Sequence, residues 1–329
     1  MTLKQLKYFV SIVDCGMNIT AASEQLFTSQ PGISKQIKLI EAELGIKLFI
    51  RKGKTLSALT PAGEEVLRRS RKVLLEVDNI SNFSREMQGN HKGLLSIATT
   101  HTQARYVLPD TIKEFNAKYP RVDLEIHQGT TDQIVELLAS SNVNLVMASG
   151  SDKLFNNLIM IPVYRWNRVA LVPKNHPLAK DKRKMTLEIL AKHSLVTYVF
   201  SMTEESSFKL AFSQLSLQPR IAFTARDADI IKTYVRKGMG VGLLASVAIE
   251  PSDLKDLHVI DVRDLFPEVI TWIGIPREAV IRSYMFDFIS MLAPHISQGQ
   301  LKKLLDPDNY ENYELILSTL EVPSRYLSA

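Results

Sequence analysis

Two groups of side chains in this sequence carry usable chemistry, and both are sets of hydrogen-bond donors. The first lies in ITAASEQLFTSQPGISKQIKLIEAELG, residues 19–45. Ser29, Gln30, Ser34, Lys35 and Lys38 fall opposite Ile33, Ile37, Ile40 and Leu44, whose 4-3-4 spacing is that of a helix with one apolar face. No acid joins the donors before Glu41. Ser29 is an N-cap, Pro31 fits the first turn and Gly45 the C-terminal stop. Ala21, Ala22 and Leu26 give a shorter helix ahead of it, with small residues that allow close approach. A capped helix with an apolar back and a donor-rich front suits a DNA major groove. Beyond Gly45, two β-prone runs flank a basic turn, Arg51-Lys52-Gly53-Lys54, so Arg51, Lys52 and Lys54 join the DNA-facing set.

The second group is neutral and sits where strands are expected to end. LLSIA runs into Thr99-Thr100-His101-Thr102-Gln103, and the strand through Ile126 into His127-Gln128-Gly129-Thr130-Thr131. VNLVMA ends in Ser149, and LVTY leads to Ser201 and Thr203. Ligands of α/β sheets bind past the carboxyl ends of the strands. Hydroxyls and amides there, several at helix N-termini, favour a small anion held without a salt bridge. Ordinary capping by Ser and Thr explains any one of these positions alone. Arg105 is the one cation near the motifs.

Catalysis has little support. No two histidines have helical metal-ligand spacing, no G-x-S-x-G elbow is present, and Cys15 is the only cysteine. Cys15 lies beside Val13 in the first helix and reads as a buried thiol. Gly240-Val-Gly242-Leu-Leu-Ala245 matches a dinucleotide fingerprint, but a helix precedes it and a strand follows, the reverse of the required order. The expectation is no enzyme, no metal and no cofactor.

The elements that must position these groups follow from periodicity. Leu3, Leu6, Phe9, Val10 and Val13 give a helix packed behind the helix-turn-helix. Thr60-Pro61 starts a helix running to about Gln88, in which Val66, Val73, Ile80 and Met87 recur every seven residues. That seam is expected to pair with a second copy of the chain. After a hinge at residues 88–93, strands and helices alternate, which implies a covered α/β sheet. Pro109 is expected to split or restart the helix following Gln103. The boundaries expected are 1–59 for a winged helix-turn-helix domain, 60–88 for a linker helix, 89–297 for a ligand-binding domain and 298–329 for a tail of helix and acidic segment.

At 329 residues with 45% apolar content, two or three domains with real cores are expected. The net charge of +5 is modest, while lysine and arginine outnumber acids in the first sixty positions, a basic footprint at one end. No leader block and no apolar run near the ~20 residues of a membrane span are present, so a cytoplasmic location is expected.

LFTSQPGISKQIKLIEAELGIKLF and LTPAGE resemble the amino-terminal domain of LysR-type transcriptional regulators, and His176-Pro177-Leu178-Ala179 matches a segment of their effector domain. The resemblance implies an all-α winged helix-turn-helix domain followed by a two-lobed α/β effector domain like a periplasmic binding protein. TTHTQARY, HQG, YRWNR, LVTY and DADIIKTYV resemble the CysB-like branch, from Met1 to about Pro294. That branch implies activation of sulfate-uptake and cysteine-biosynthesis genes, with sulfate, thiosulfate or acetylserine as effector. Promoter DNA, a second copy of the chain as dimer or tetramer, and RNA polymerase are the implied partners. Its motifs put the effector site at Thr100, Thr102, Gln103, Thr130, Ser149, Trp166 and Thr203. Ser149 stands where the branch usually has Thr, and HQGTT where HQGSP is common; both keep hydroxyls. A related branch that responds to sulfonate or sulfate starvation has similar motifs. The reading from a different class is a small-anion-binding protein or enzyme whose N-terminal helices serve only for association.

Overall fold

Residue by residue, hydrophobic spacing and caps build two units. The structure, a computed structural model, describes all residues except 54, 88–91, 140–142, 151–157, 204–205, 278, 307–312 and 326–329. The units are Met1–Asn90 and His91–Ala329.

In the first unit, α1 (Leu3–Asp14) opens with a capping box in which Thr2 and Gln5 satisfy each other's backbone N–H groups. Next come α2 (Ile19–Gln25) and α3 (Gln30–Leu44). Leu6, Phe9, Ile12, Ala22, Ile33, Ile37 and Ile40 form the buried core with Leu48, Phe49 and Leu56. Leu3 and Leu44, expected inside, are exposed, because the apolar stripes run past the core at both helix ends; Tyr8 and Ile12 fill the space instead. Cys15 caps the end of α1, where the positive φ of Gly16 and Met17 turns the chain. Its thiol is half-buried rather than buried: Cys15 packs against the edge of the core and its Sγ lies 3.0 Å from the Gln25 side-chain Oε1.

Glu41 is not on the donor face. It is buried and its carboxylate accepts the Leu48 and Phe49 amides at 2.9 and 3.4 Å, tying α3 to the wing. The wing is the antiparallel pair β1 (Phe49–Lys52) and β2 (Thr55–Leu59), turned at Gly53 with φ +64°. Thr60 donates to the Lys47 carbonyl and accepts from Gly63, locking the start of α4 (Pro61–Met87). At 27 residues, α4 is roughly 40 Å long. Val66, Leu67 and Leu74 pack on the N-terminal core, whereas Val73 and Ile80 are 42% and 65% exposed; the Met87 side chain lies outside the described residues.

The second unit has two lobes, each with a five-stranded sheet. Lobe one contains β3 (Gly93–Thr99), α5 (His101–Tyr106), α6 (Leu108–Lys118), β4 (Val122–Gln128), α7 (Thr131–Ala139), β5 (Leu145–Ser149) and β6 (Leu158–Trp166). The chain crosses at Asn167 into lobe two, with β7 (Arg168–Pro173), β8 (Leu195–Tyr198), β9 (Ile221–Ala225), β10 (Val241–Ala245) and β11 (Leu257–Asp261), then returns as β12 (Val269–Pro276). The sheet orders are β4-β3-β5-β12-β6 and β11-β7-β10-β8-β9. In each, three parallel strands are extended on one side by two more, joined through successive antiparallel pairings.

Pro109 restarts the helix after Gln103: α5 ends at Tyr106 and α6 begins one residue later, with Pro109 in its first turn. The core of lobe one continues past residue 297. Leu301, Leu304 and Leu305 are buried in it, and Arg165 exchanges backbone hydrogen bonds with Pro323 and Arg325 beside β6. Among the described residues no helix is long and apolar enough to cross a membrane.

Gly63 is the tightest backbone approach in the first unit: a Cβ there would lie 2.1 Å from the Leu48 carbonyl oxygen. Gly63→Ala should therefore push α4 off the wing and destabilise the unit by about 1–3 kcal/mol in urea denaturation. An unchanged unfolding midpoint would contradict this seating of α4.

Candidate functional site

Sheet register brings the neutral donors of lobe one together. Thr99 lies opposite Gln128 of β4 and Met147 of β5, so the ends of β3, β4 and β5 are in line. The Thr99 hydroxyl donates to the Met147 carbonyl at 2.7 Å and fixes that alignment. Thr100 is the N-cap of α5 in extended conformation and makes no capping bond with its hydroxyl.

One turn on, Gln103 is buried and its amide is held at both ends. Its Nε2 donates to Ser149 Oγ at 3.1 Å, and its Oε1 accepts the Tyr164 hydroxyl at 2.6 Å. Ser149 Oγ also accepts the Trp166 indole N–H at 3.2 Å and lies 2.7 Å from Thr271 Oγ1. With both Ser149 lone pairs occupied, its proton goes to Thr271. Gln103, Ser149, Thr271 and Tyr164 thus belong to one hydrogen-bonded network, in which each bond polarises the next. Burial pushes the Tyr164 phenol up to about 12, so it stays a donor; the Thr271 and Gln103 hydrogen bonds and the Arg325 guanidinium 4.7 Å from its ring act in the opposite direction.

Lobe two meets this wall through α5. The Tyr198 hydroxyl accepts the Ala245 amide at 3.3 Å; burial raises its phenol, against the pull of that amide and of the Thr102 hydroxyl on α5. Tyr106 donates to Asp229 at 2.7 Å, and burial followed by that carboxylate raises its phenol. Arg105 pairs with Glu250 at 3.2 Å.

The structure therefore joins Gln103, Ser149 and Trp166 in one network, with Thr100 and Thr102 on the same short helix. It does not bring in Thr130 or Thr203. Thr130 is exposed and accepts the Gln133 amide as the cap of α7. Thr203 is exposed and donates to the Phe200 carbonyl at 3.0 Å. Short hydroxyl side chains at turns satisfy nearby backbone first: Thr203 commits its proton to the Phe200 carbonyl, while Thr130 only accepts and keeps its own proton to donate. Tyr164 and Thr271 belong to this network and were missed: it links positions up to 168 residues apart, which no local pattern encodes.

On the first unit, Gln30, Lys35 and Lys38 are exposed along α3, Ser34 is half-buried beside them, and Ser29 caps the helix by accepting the Gly32 amide at 3.3 Å. Lys52 is exposed on β1; Arg51 lies 4.0 Å from Glu41, which draws it toward α3; Lys54 lies outside the described residues.

Residues 3–64 match the model of the bacterial regulatory helix-turn-helix proteins of the lysR family, and residues 88–297 match the LysR substrate binding domain. The chain belongs to the LysR family. It is a DNA-binding transcriptional regulator with an effector-binding domain, and the reading in which the N-terminal helices serve only for association falls with that match. It is 44% identical to the HTH-type transcriptional regulator CysB of Haemophilus influenzae over 92% of this chain and 93% of that protein. With SsuR of Burkholderia cenocepacia it shares 37% identity over 93% of this chain and 99% of that one. The solved cofactor-binding domain of the Cbl transcriptional regulator superposes on 66% of this chain and 94% of its own length, with a TM-score of 0.61 at 36% identity. This LysR-family chain is thus CysB-like along nearly its full length.

Gln103→Leu removes the acceptor of a buried phenol and one donor to Ser149. The effector unit should lose about 1–3 kcal/mol of stability, read as a lower thermal midpoint. An unchanged midpoint would mean the network is not formed.

Proposed function

We propose that this regulator activates genes of sulfate assimilation and cysteine biosynthesis in the cytoplasm, under control of a small sulfur-metabolism anion. The effector is sulfate, thiosulfate or acetylserine, met by the Thr100 and Thr102 hydroxyls, with Gln103, Ser149 and Trp166 joining where they exchange bonds of their own network for bonds to the anion. The observation that carries this is the Gln103-centred donor set at aligned strand ends, in a chain 44% identical to CysB. A divalent anion must exchange its water shell for donors, and an unmatched charge would be prohibitively costly. Thr100, with its hydroxyl free of the helix cap, is the donor best placed to turn toward a ligand.

Such a shell discriminates against phosphate, which keeps a proton near neutral pH and needs an acceptor. Thr203 enters this proposal only as a residue whose hydroxyl would have to leave the Phe200 carbonyl, whereas Thr130 can donate while it caps α7. In the DNA-binding unit, Gln30, Ser34, Lys35, Lys38 and the wing residues Arg51, Lys52 and Lys54 carry the contacts with promoter DNA, capped by Ser29. The exposed Val73 and Ile80 on α4 support self-association as a homodimer or homotetramer, since a 27-residue helix does not leave a heptad stripe in water without a partner. RNA polymerase is the further partner of an activator.

Calorimetric titration of the full chain with sulfate, thiosulfate, acetylserine and phosphate tests the effector assignment. Binding of at least one of the first three and rejection of phosphate are expected. Thr100→Val keeps the shape and removes one charge-assisted donor, so it should weaken sulfate about ten- to a hundredfold. No heat from any of the four, or sulfate affinity untouched by Thr100→Val, would contradict the site.

A further inference from the structure

Among the described residues of the effector unit two cations are buried, and the fold treats them differently. Lys232 reaches the Asp253 carboxylate at 2.9 Å, the Ala248 carbonyl at 3.0 Å and Asp229 at 3.4 Å. Arg168, only 3% exposed, has no carboxylate partner among the described residues. Its Nη1 makes one long bond of 3.4 Å to the Ser201 hydroxyl, and its Nε has no hydrogen-bond partner. The Phe266 ring lies 5.8 Å from the guanidinium carbon. Burial lowers the guanidinium to about 10, which still leaves it charged at neutral pH. A buried, unpaired charge is among the costliest features a protein interior can hold.

Its position explains why the fold would keep it. Arg168 opens β7 directly after the crossover, opposite Ala245 of β10 and two residues beyond Trp166. Ser201 follows the carboxyl end of β8 and is itself buried. The Arg168 charge and the Thr102 hydroxyl both act on the Tyr198 phenol. The guanidinium is thus one side chain removed from the donor wall of lobe one. Arg325, the cation over Tyr164, is exposed and solvated, so it needs no counter-ion.

We propose that Arg168 is the built-in counter-charge of the effector site. An anion at the strand ends supplies the negative charge that the fold withholds, so ligand charge sets affinity alongside the neutral donors. This rests on the effector reading above and adds a specificity-determining residue to it. Arg168 acts through the field and through Ser201, which makes it a positioning residue.

The test compares the full-length wild type with Arg168→Met and Arg168→Lys, by thermal unfolding and calorimetry with sulfate and acetylserine. Without ligand, Arg168→Met should be as stable as wild type or more so, because an uncompensated buried charge is gone. Its sulfate affinity should fall at least about tenfold, and the monoanion acetylserine only about threefold, since the Coulomb energy scales with ligand charge. Arg168→Lys keeps the charge and should hold sulfate within a few-fold of wild type, which also covers the case in which the Met variant does not fold. Equal losses for both ligands, unchanged sulfate affinity in Arg168→Met, or a Lys variant as weak as the Met variant would overturn the proposal. A wild type that binds none of these anions would instead overturn the effector reading itself, and this proposal with it.

Discussion

The orientation of one primary amide governs the effector unit. Gln103 can serve a ligand site only if its side chain is fixed, and it is fixed from both ends by Ser149 and Tyr164. Ser149 comes from β5, Tyr164 from β6 and Thr271 from β12, so three strands must be in register before the network forms. Thr99 sets the register of β3 against β5, and the restart at Pro109 gives α5 its short length and leaves Thr100 at its N-terminus. The Gln103 amide has no rotational freedom left, which makes it a preorganised part of the wall.

The DNA-binding unit depends on a comparable tie. Glu41 leaves the face of α3 that carries the lysines, becomes buried, and accepts the first amides of the wing. One carboxylate thereby removes an acid from the side that meets phosphate and holds the hairpin against the helix. Thr60 and Gly63 then seat α4 on the Leu48 carbonyl, so the wing and the linker helix share one anchoring strand.

Much of this was legible in the sequence because caps and breakers are local. Ser29, Pro31 and Gly45 bound α3, Thr60-Pro61 starts α4, and Gly238 and Gly240 separate a helix from β10, all readable from a few neighbouring residues. β6 was not legible: LIMIPVYRW has no alternation, and Pro162 sits opposite Trp272 at a register shift, where its missing N–H is tolerated. The tail was legible only as a helix and an acidic segment, since the docking of Val322–Arg325 beside β6 depends on a partner more than 150 residues away. Thr130 and Thr203 are a different case. Their hydroxyls fit the anion set by type and position, and only the structure gives them local backbone partners.

The central claim is that a small anion in the effector unit controls how a symmetric assembly of this LysR-family chain holds DNA. Nuclease protection of the upstream region of its own gene and of sulfate-uptake genes, with and without acetylserine or sulfate, tests it most directly. The account predicts protected half-sites related by a two-fold axis and spaced by about one helical turn of DNA or a multiple of it, with a pattern that shifts when effector is added. A single unrepeated patch, or a footprint indifferent to every effector, would contradict it.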